Sequence, residues 1–252
     1  AGALLISLFI YDELSFDKMY PDADRIYRVN IDNKTSGEVN KYAAVSGPLA
    51  EAMRKDYPHL ELVTRFRHTG SKLVRAVDAD QNVKEDNVVG VDETFFEMFG
   101  LDLLHGNKNT AFNEKNSIVL TRTSAEKHFP IDQALGQSLL LDNDEVYVVS
   151  GVIEDLPKNT FLRNHTVFIS ISSFQDADSP AWNNWNFPTF VRLREGASET
   201  EFQDYLGTVL ERYLLPWAIQ FIPGLTVESM KEDNKKTGNY MLFDATPLTA
   251  VH

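Results

Sequence analysis

Cysteine is absent from the 252 residues, which excludes disulfide staples, thiolate nucleophiles and cysteine-based zinc or iron–sulfur centres while leaving the compartment open. Glycine (13) and proline (10) are sparse and aperiodic, so collagen-like, low-complexity and repeat-only architectures are excluded too. Basic residues are in deficit: 24 Lys+Arg against 37 Asp+Glu give a formal charge of −13, which repels phosphate backbones and argues against nucleic-acid binding. What is present is an ordinary globular mixture, 43% hydrophobic and 24% charged. The length corresponds to one or two domains of about 150 residues each.

The chain opens with eleven apolar, uncharged residues, Ala1 to Tyr11. That run covers about half of the roughly 20 residues a membrane-spanning helix needs. It lacks the basic start and small-residue cleavage site of a secretory signal. The favoured expectation is the outer end of a longer transmembrane helix, with Asp12-Glu13 leaving the hydrocarbon on a flank free of Lys and Arg. The competing expectation is a buried helix of a soluble protein.

Beyond this start, Tyr27, Val29 and Ile31 alternate with polar neighbours and predict a half-buried strand over 26–32. Ser46-Gly47-Pro48 opens a helix carrying Leu49, Met53 and Tyr57, which Pro58 ends. Residues 62–68 and 72–77 read as two strands around a turn at Thr69-Gly70-Ser71. After Asp80 the pattern changes. Short strands are expected at 88–91 and 117–120, a helix over 93–99 closed by Gly100, and a capping box at Thr123-Ser124-Ala125-Glu126. A hairpin is expected around Asp142–Glu145, so 85–156 reads as an inserted subdomain. Strands at 166–172 and 189–193 follow. A second capping box at Ser198–Glu201 then opens a helix whose stripe is Phe202, Tyr205, Leu206, Val209, Leu210 and Tyr213. Residues 225–244 read as a polar segment with a final strand at 240–243. Strands with interleaved helices but no regular βα alternation predict an α+β fold.

Chemistry-bearing motifs are missing. The six histidines include no helical zinc pair, and neither a nucleophile elbow nor a phosphate-binding loop occurs. The acidic run at 142–145 lacks the glycine and distant glutamate of a calcium loop. No catalytic, cofactor-binding or metal-binding residue is therefore assigned. Trp182, Trp185, Trp217 and Phe221 are candidates for a partner or membrane patch, with core packing as the simpler reading.

The residues that point furthest are Asp12-Glu13-Leu14-Ser15-Phe16-Asp17-Lys18, then Asp22-Ala23-Asp24-Arg25-Ile26-Tyr27-Arg28-Val29. Gly47–Ala50, Thr64–Phe66, Val91-Asp92, Phe95–Phe99, Asn116–Thr121, Leu135–Gln137 and Val149–Pro157 follow in order, and the chain closes on Pro247–His252. Together these resemble the periplasmic domain of MacB/FtsX-type ABC transporter permeases, in the wording common in Bacteroidetes. The closing run resembles the segment just before that family's second membrane helix.

The resemblance implies a domain held between two membrane helices: a split Porter subdomain of βαβ-like units with a Sabre subdomain inserted. The expected divisions are 1–20 (membrane-helix end and stalk), 21–84 (Porter, first half), 85–156 (Sabre-like insert), 157–246 (Porter, second half) and 247–252 (return stalk). It further implies a non-catalytic body at the inner membrane and in the periplasm, coupled to an ATPase subunit and a second permease copy, and monomeric when isolated. Stalk positions carried over are Asp12, Glu13, Leu14, Phe16, Asp17, Arg25, Tyr27, Pro247, Leu248 and His252. A ligand-binding sensor domain between two membrane helices, and a soluble hydrolase using paired carboxylates, are the alternatives.

Overall fold

The structure, a computed structural model, describes residues 15–251. The stretch Ala1–Tyr11, along with Asp12, Glu13, Leu14 and His252, lies outside the described residues. The elements run β1 (Ile26–Thr35), β2 (Glu38–Tyr42), α1 (Pro48–Asp56), β3 (Leu60–Ala76), β4 (Val83–Val91), α2 (Phe95–Phe99), β5 (Leu103–Gly106) and β6 (Ser117–Thr121). They continue with α3 (Arg122–Glu126), β7 (Ser138–Leu141), β8 (Glu145–Ile153), β9 (Val167–Ser170), β10 (Thr189–Leu193), α4 (Glu199–Val209), α5 (Leu215–Ala218), α6 (Val227–Thr237) and β11 (Tyr240–Pro247). A π-helical stretch, Leu210–Leu214, joins α4 to α5. The chain divides into two compact units, one of Arg25–Arg65 with Asp178–Pro247, the other of Phe66–Ala177 with the segments before Arg25 and after Pro247.

The first unit is an antiparallel sheet in the order β11-β1-β10-β3, using the first six residues of β3, with β2 paired to the later part of β1 as a fifth strand. β1, α1 and β3 form one βαβ unit and β10, α4 and β11 another, each split by a strand of the other. This is the interleaved arrangement of ferredoxin-like folds. The alternation in β1 turns Val29 and Ile31 into a core shared with Leu49 and Met53 of α1 and Phe202, Leu206 and Val209 of α4. Ser198 caps α4 by accepting the Glu201 N–H. The polar segment expected over 225–244 contains a helix, α6, opened by a reciprocal capping box of Thr226 and Ser229 and closed by Gly238 at φ 71°. None of the residues of α6 is buried, so it has no full apolar stripe for periodicity to detect.

The second unit closes a ring. The later part of β3 pairs with β4, β4 with β9, β9 with β6, β6 with β8 and β8 with β7, and β7 returns to β3 at Val74–Ala76. Period-2 alternation sends Ile118/Leu120, Leu139/Leu141, Tyr147/Val149 and Val167/Ile169 into one buried interior. Their neighbours on the opposite face include Phe168, whose ring lies 5.1 Å from Phe95; Phe66 lies 5.6 Å from Phe95 and 5.9 Å from Phe99. The unit thus has an interior that is aliphatic apart from Tyr147 and a separate phenylalanine layer.

Two local expectations need correction. Residues 62–77 are not two strands around a turn: β3 is one 17-residue strand, and Gly70 (φ 74°) sits at irregularities in its register with β4. The cap of α3 is Thr121, not Thr123, because Thr123 donates its N–H and hydroxyl to Asp155 at 3.0 and 2.5 Å. The acidic run at 142–145 is a hairpin turn, with Asp142 and Asn143 both at positive φ. The Asp142 carboxylate accepts from Lys72 Nζ (2.7 Å) and Leu73 N–H (2.9 Å), which accounts for its charge without a cation.

Candidate functional site

Phe16 and Asp17, two of the positions expected in the stalk, belong to the ring unit, and a loop over 159–163 receives them. Asp17 is fully buried at φ 56°, a conformation that aspartate tolerates better than most residues. Its N–H donates to Asn159 O (3.0 Å) and its Oδ1 accepts the Phe161 N–H (2.9 Å), so main chain and side chain grip the same loop. Asn159 Nδ2 in turn donates to Ser15 Oγ at 3.1 Å. Arg163 lies 5.2 Å over the Phe16 ring.

Three residues further on, the buried Tyr20 hydroxyl hydrogen-bonds Thr160, and its ring meets Phe99 edge-on at 5.3 Å. Burial pushes the Tyr20 phenol well above its ordinary pKa, so the group remains neutral. Pro21 rests on Gly100, where a Cβ would come within 2.6 Å of the proline ring. Gly100 therefore serves two ends, capping α2 at φ 60° and leaving room for the incoming chain. Leu248, on the outgoing side, is fully buried and belongs to the same unit.

Of the remaining expected stalk positions, Arg25, Tyr27 and Pro247 lie in the ferredoxin-like unit. Tyr27 and Pro247 face each other in the β1–β11 register. Arg25 donates to Glu61 (2.6 Å) and to Leu193 O (2.6 Å), and Arg192 meets the other Glu61 oxygen at 3.0 Å. The Arg25 hydrogen bond, reinforced by Arg192, holds the Glu61 carboxyl below its usual range. The four aromatic candidates do not form one patch. Trp182 is a core residue, stacked on Tyr213 at 5.6 Å; Trp185 packs on Tyr42 at 5.2 Å; Trp217 is half-buried. Phe221, 66% exposed beside Ile222, is the one truly presented to solvent.

The residues that sequence reasoning missed are Asn159, Thr160 and Phe161. They sit in a loop without periodicity, and their role depends on a partner about 140 residues earlier in the chain. Among the described residues, no cluster of three or more His, Asp or Glu is placed to hold a metal ion, and no helix is long and apolar enough to cross a membrane.

A family model of the MacB-like periplasmic core domain matches residues 1–209. The chain belongs to this family. Among solved structures, a domain from Porphyromonas gingivalis described as belonging to a permease superposes with TM-score 0.72 at 23% identity, over 90% of this chain and 91% of that one. The periplasmic region of MacB from Actinobacillus actinomycetemcomitans gives 0.54 at 12% identity, over 87% and 88% of the two chains. The extracellular domain of the noncanonic ABC-type transporter YknZ from Gram-positive bacteria gives 0.55 at 11%, over 88% and 99%. No curated protein matches the chain in sequence. As a MacB-like periplasmic core domain, the chain is the periplasmic domain of a MacB/FtsX-like ABC transporter permease.

Proposed function

We propose that this MacB-like domain transmits force: it couples ATP hydrolysis on the cytoplasmic side of the inner membrane to a conformational change in the periplasm. The observation that carries the reading is the double grip on the entering chain, by buried Asp17 and by Tyr20, on the 159–161 loop. A segment that only tethered a domain would need no buried carboxylate; one that moves a domain needs a stiff attachment with few alternatives. The ATPase resides on a separate subunit and the permease works as a pair, while the isolated domain is monomeric. Residues 85–156 correspond to the Sabre-like insert and 21–84 with 157–246 to the Porter parts; 1–20 and 247–252 are the stalks. Family membership favours this over a ligand-binding sensor domain.

The test uses the full permease with its ATPase in nanodiscs, spin-labelled on exposed sites such as Val39 and Leu104 in separate experiments, each pairing a site with its copy in the second permease. ATP trapping is expected to change the label distances in the native protein. Asp17→Ala is expected to abolish the change while the ATPase still turns over. Unchanged distances in the native protein on ATP trapping, or an Asp17→Ala protein that still responds fully, would overturn the proposal.

A further inference from the structure

The ferredoxin-like unit carries a groove of about 230 Å³ beside the π-helical stretch. A π turn inserts one residue into a helix and recurs at functional positions. Here Leu214 and Leu215 are buried against the core and also line the groove, together with Leu210 and Glu211. The apolar floor is Leu210, Leu214, Met230 and Met241. On the rim, Lys231 and Glu211 neutralise each other at 2.8 Å. Lys34 does not fit that pattern. It is half-buried, and among the described residues its side chain makes no hydrogen bond and no ion pair, although the chain carries thirteen surplus negative charges. Asn234 also lines the groove, with a side-chain amide that finds no partner among the described residues. The groove therefore has an apolar floor, one uncompensated cation and one idle amide.

We propose that this groove binds a small amphiphilic carboxylate, its tail on the leucine and methionine floor and its head between Lys34 and Asn234. The volume lies below the roughly 300–1,000 Å³ typical of drug-sized ligands, which limits the occupant to a short chain. An ammonium and an amide lining one groove complement a carboxylate's two oxygens. A neutral or cationic head would leave Lys34 uncompensated.

The inference goes beyond the force-transmission reading and stands or falls separately. Decanoate, kept below its micellar concentration, is titrated into the 252-residue chain with methionine methyl resonances observed. Saturable shifts at Met230 and Met241 are expected, with Lys34→Glu weakening binding by about tenfold or more, since hydrogen bonds to charged groups carry that range. Met230→Trp, which fills the floor and leaves Lys34 in place, is expected to weaken it as well. A decyltrimethylammonium ion is expected not to saturate. Absence of saturation by decanoate, equal affinity in Lys34→Glu, or equal binding of the cationic amphiphile would each overturn the assignment.

Discussion

The two units deal with strand edges in different ways. In the unit of Phe66–Ala177, strands β3, β4, β9, β6, β8 and β7 pair around a ring, and the ring itself has no free edge. The ferredoxin-like unit has an open sheet, and the outer side of β11 is occupied by a side chain: Gln203 Nε2 donates to Phe243 O and Gln203 Oε1 accepts the Ala245 N–H, both at 3.1 Å. One amide from α4 thus takes the hydrogen bonds another strand would claim. Cores differ as well. The ring unit keeps its buried phenylalanine layer apart from an interior that is aliphatic save for Tyr147, whereas the ferredoxin-like unit mixes Phe202, Tyr57 and Tyr27 with aliphatics in one cluster. Pairing topology, rather than composition, sets where each unit is vulnerable.

The largest effect expected is from cutting into each core in turn. Phe95 is fully buried against Phe66, Phe99 and Phe168, and Phe202 is fully buried against Tyr27 and Tyr57. Phe95→Ala and Phe202→Ala should each cost about 3–5 kcal/mol in urea unfolding. Hydrogen exchange separates them: Phe95→Ala should deprotect amides of β4, β6 and β9 first, Phe202→Ala those of β1 and β10. Identical exchange patterns in the two variants would show that the units share one core energetically.

A smaller effect should follow from removing the edge block. Gln203→Ala deletes two hydrogen bonds at about 1 kcal/mol each and leaves the Phe243 carbonyl and Ala245 N–H open. Because free β edges recruit other strands, the variant should also self-associate, read by sedimentation velocity against the native chain. Gln203→Glu keeps the acceptor for Ala245 but loses the donor, so it should fall between. A Gln203→Ala chain as monomeric as the native one would mean that the rest of β11 is blocked by other means.

Legibility in the sequence follows the same division. Period-2 and period-3.6 patterns located β1, α1, β10 and α4; the two helices bury one face in a shared core and expose the other, whereas β10 is buried on both faces. Gly100 and Ser198 were readable as caps, because capping chemistry is local. The ring was not, since its closure depends on Val74 meeting Leu141, a contact that no local signal encodes. Nor was the junction: Asp17 and Tyr20 look like ordinary polar and aromatic residues until the 159–161 loop comes back to meet them. Trp182 was ambiguous for the opposite reason, an aromatic in an Asn-rich loop whose partner Tyr213 lies on the π-helical stretch.

The smallest effect sharpens the comparison through pH. The histidines whose pKa is lowered by burial, His68, His128 and His165, all lie in the ring unit. His128 is the decisive one. Its side chain is 2% exposed, its Nε2 has no hydrogen-bond partner, and the groups facing it are Glu85, 3.9 Å away, and Lys127. Glu85 favours the imidazolium, but its Oε1 is already shared by Ser124 and Lys127 at 3.0 and 2.8 Å, and Lys127 opposes a second positive charge. His165 donates Nδ1–H to Asn87 O at 2.7 Å, a bond that persists in either protonation state, so desolvation dominates there. A histidine with a lowered folded pKa takes up its proton more readily when unfolded. Stability is therefore full above about 6.5, the unfolded value, and declines as pH falls from there toward the folded value. Urea midpoints measured from pH 7.5 down to 5.5 should drop, with exchange protection lost in β4, β6 and β9 before β1 and β10. His128→Leu should flatten the decline without moving the midpoint at pH 7.5 by as much as Phe95→Ala does. An undiminished slope in His128→Leu would assign the acid sensitivity to His165 and His68 instead, and loss of protection in β1 and β10 first would place it in the ferredoxin-like unit.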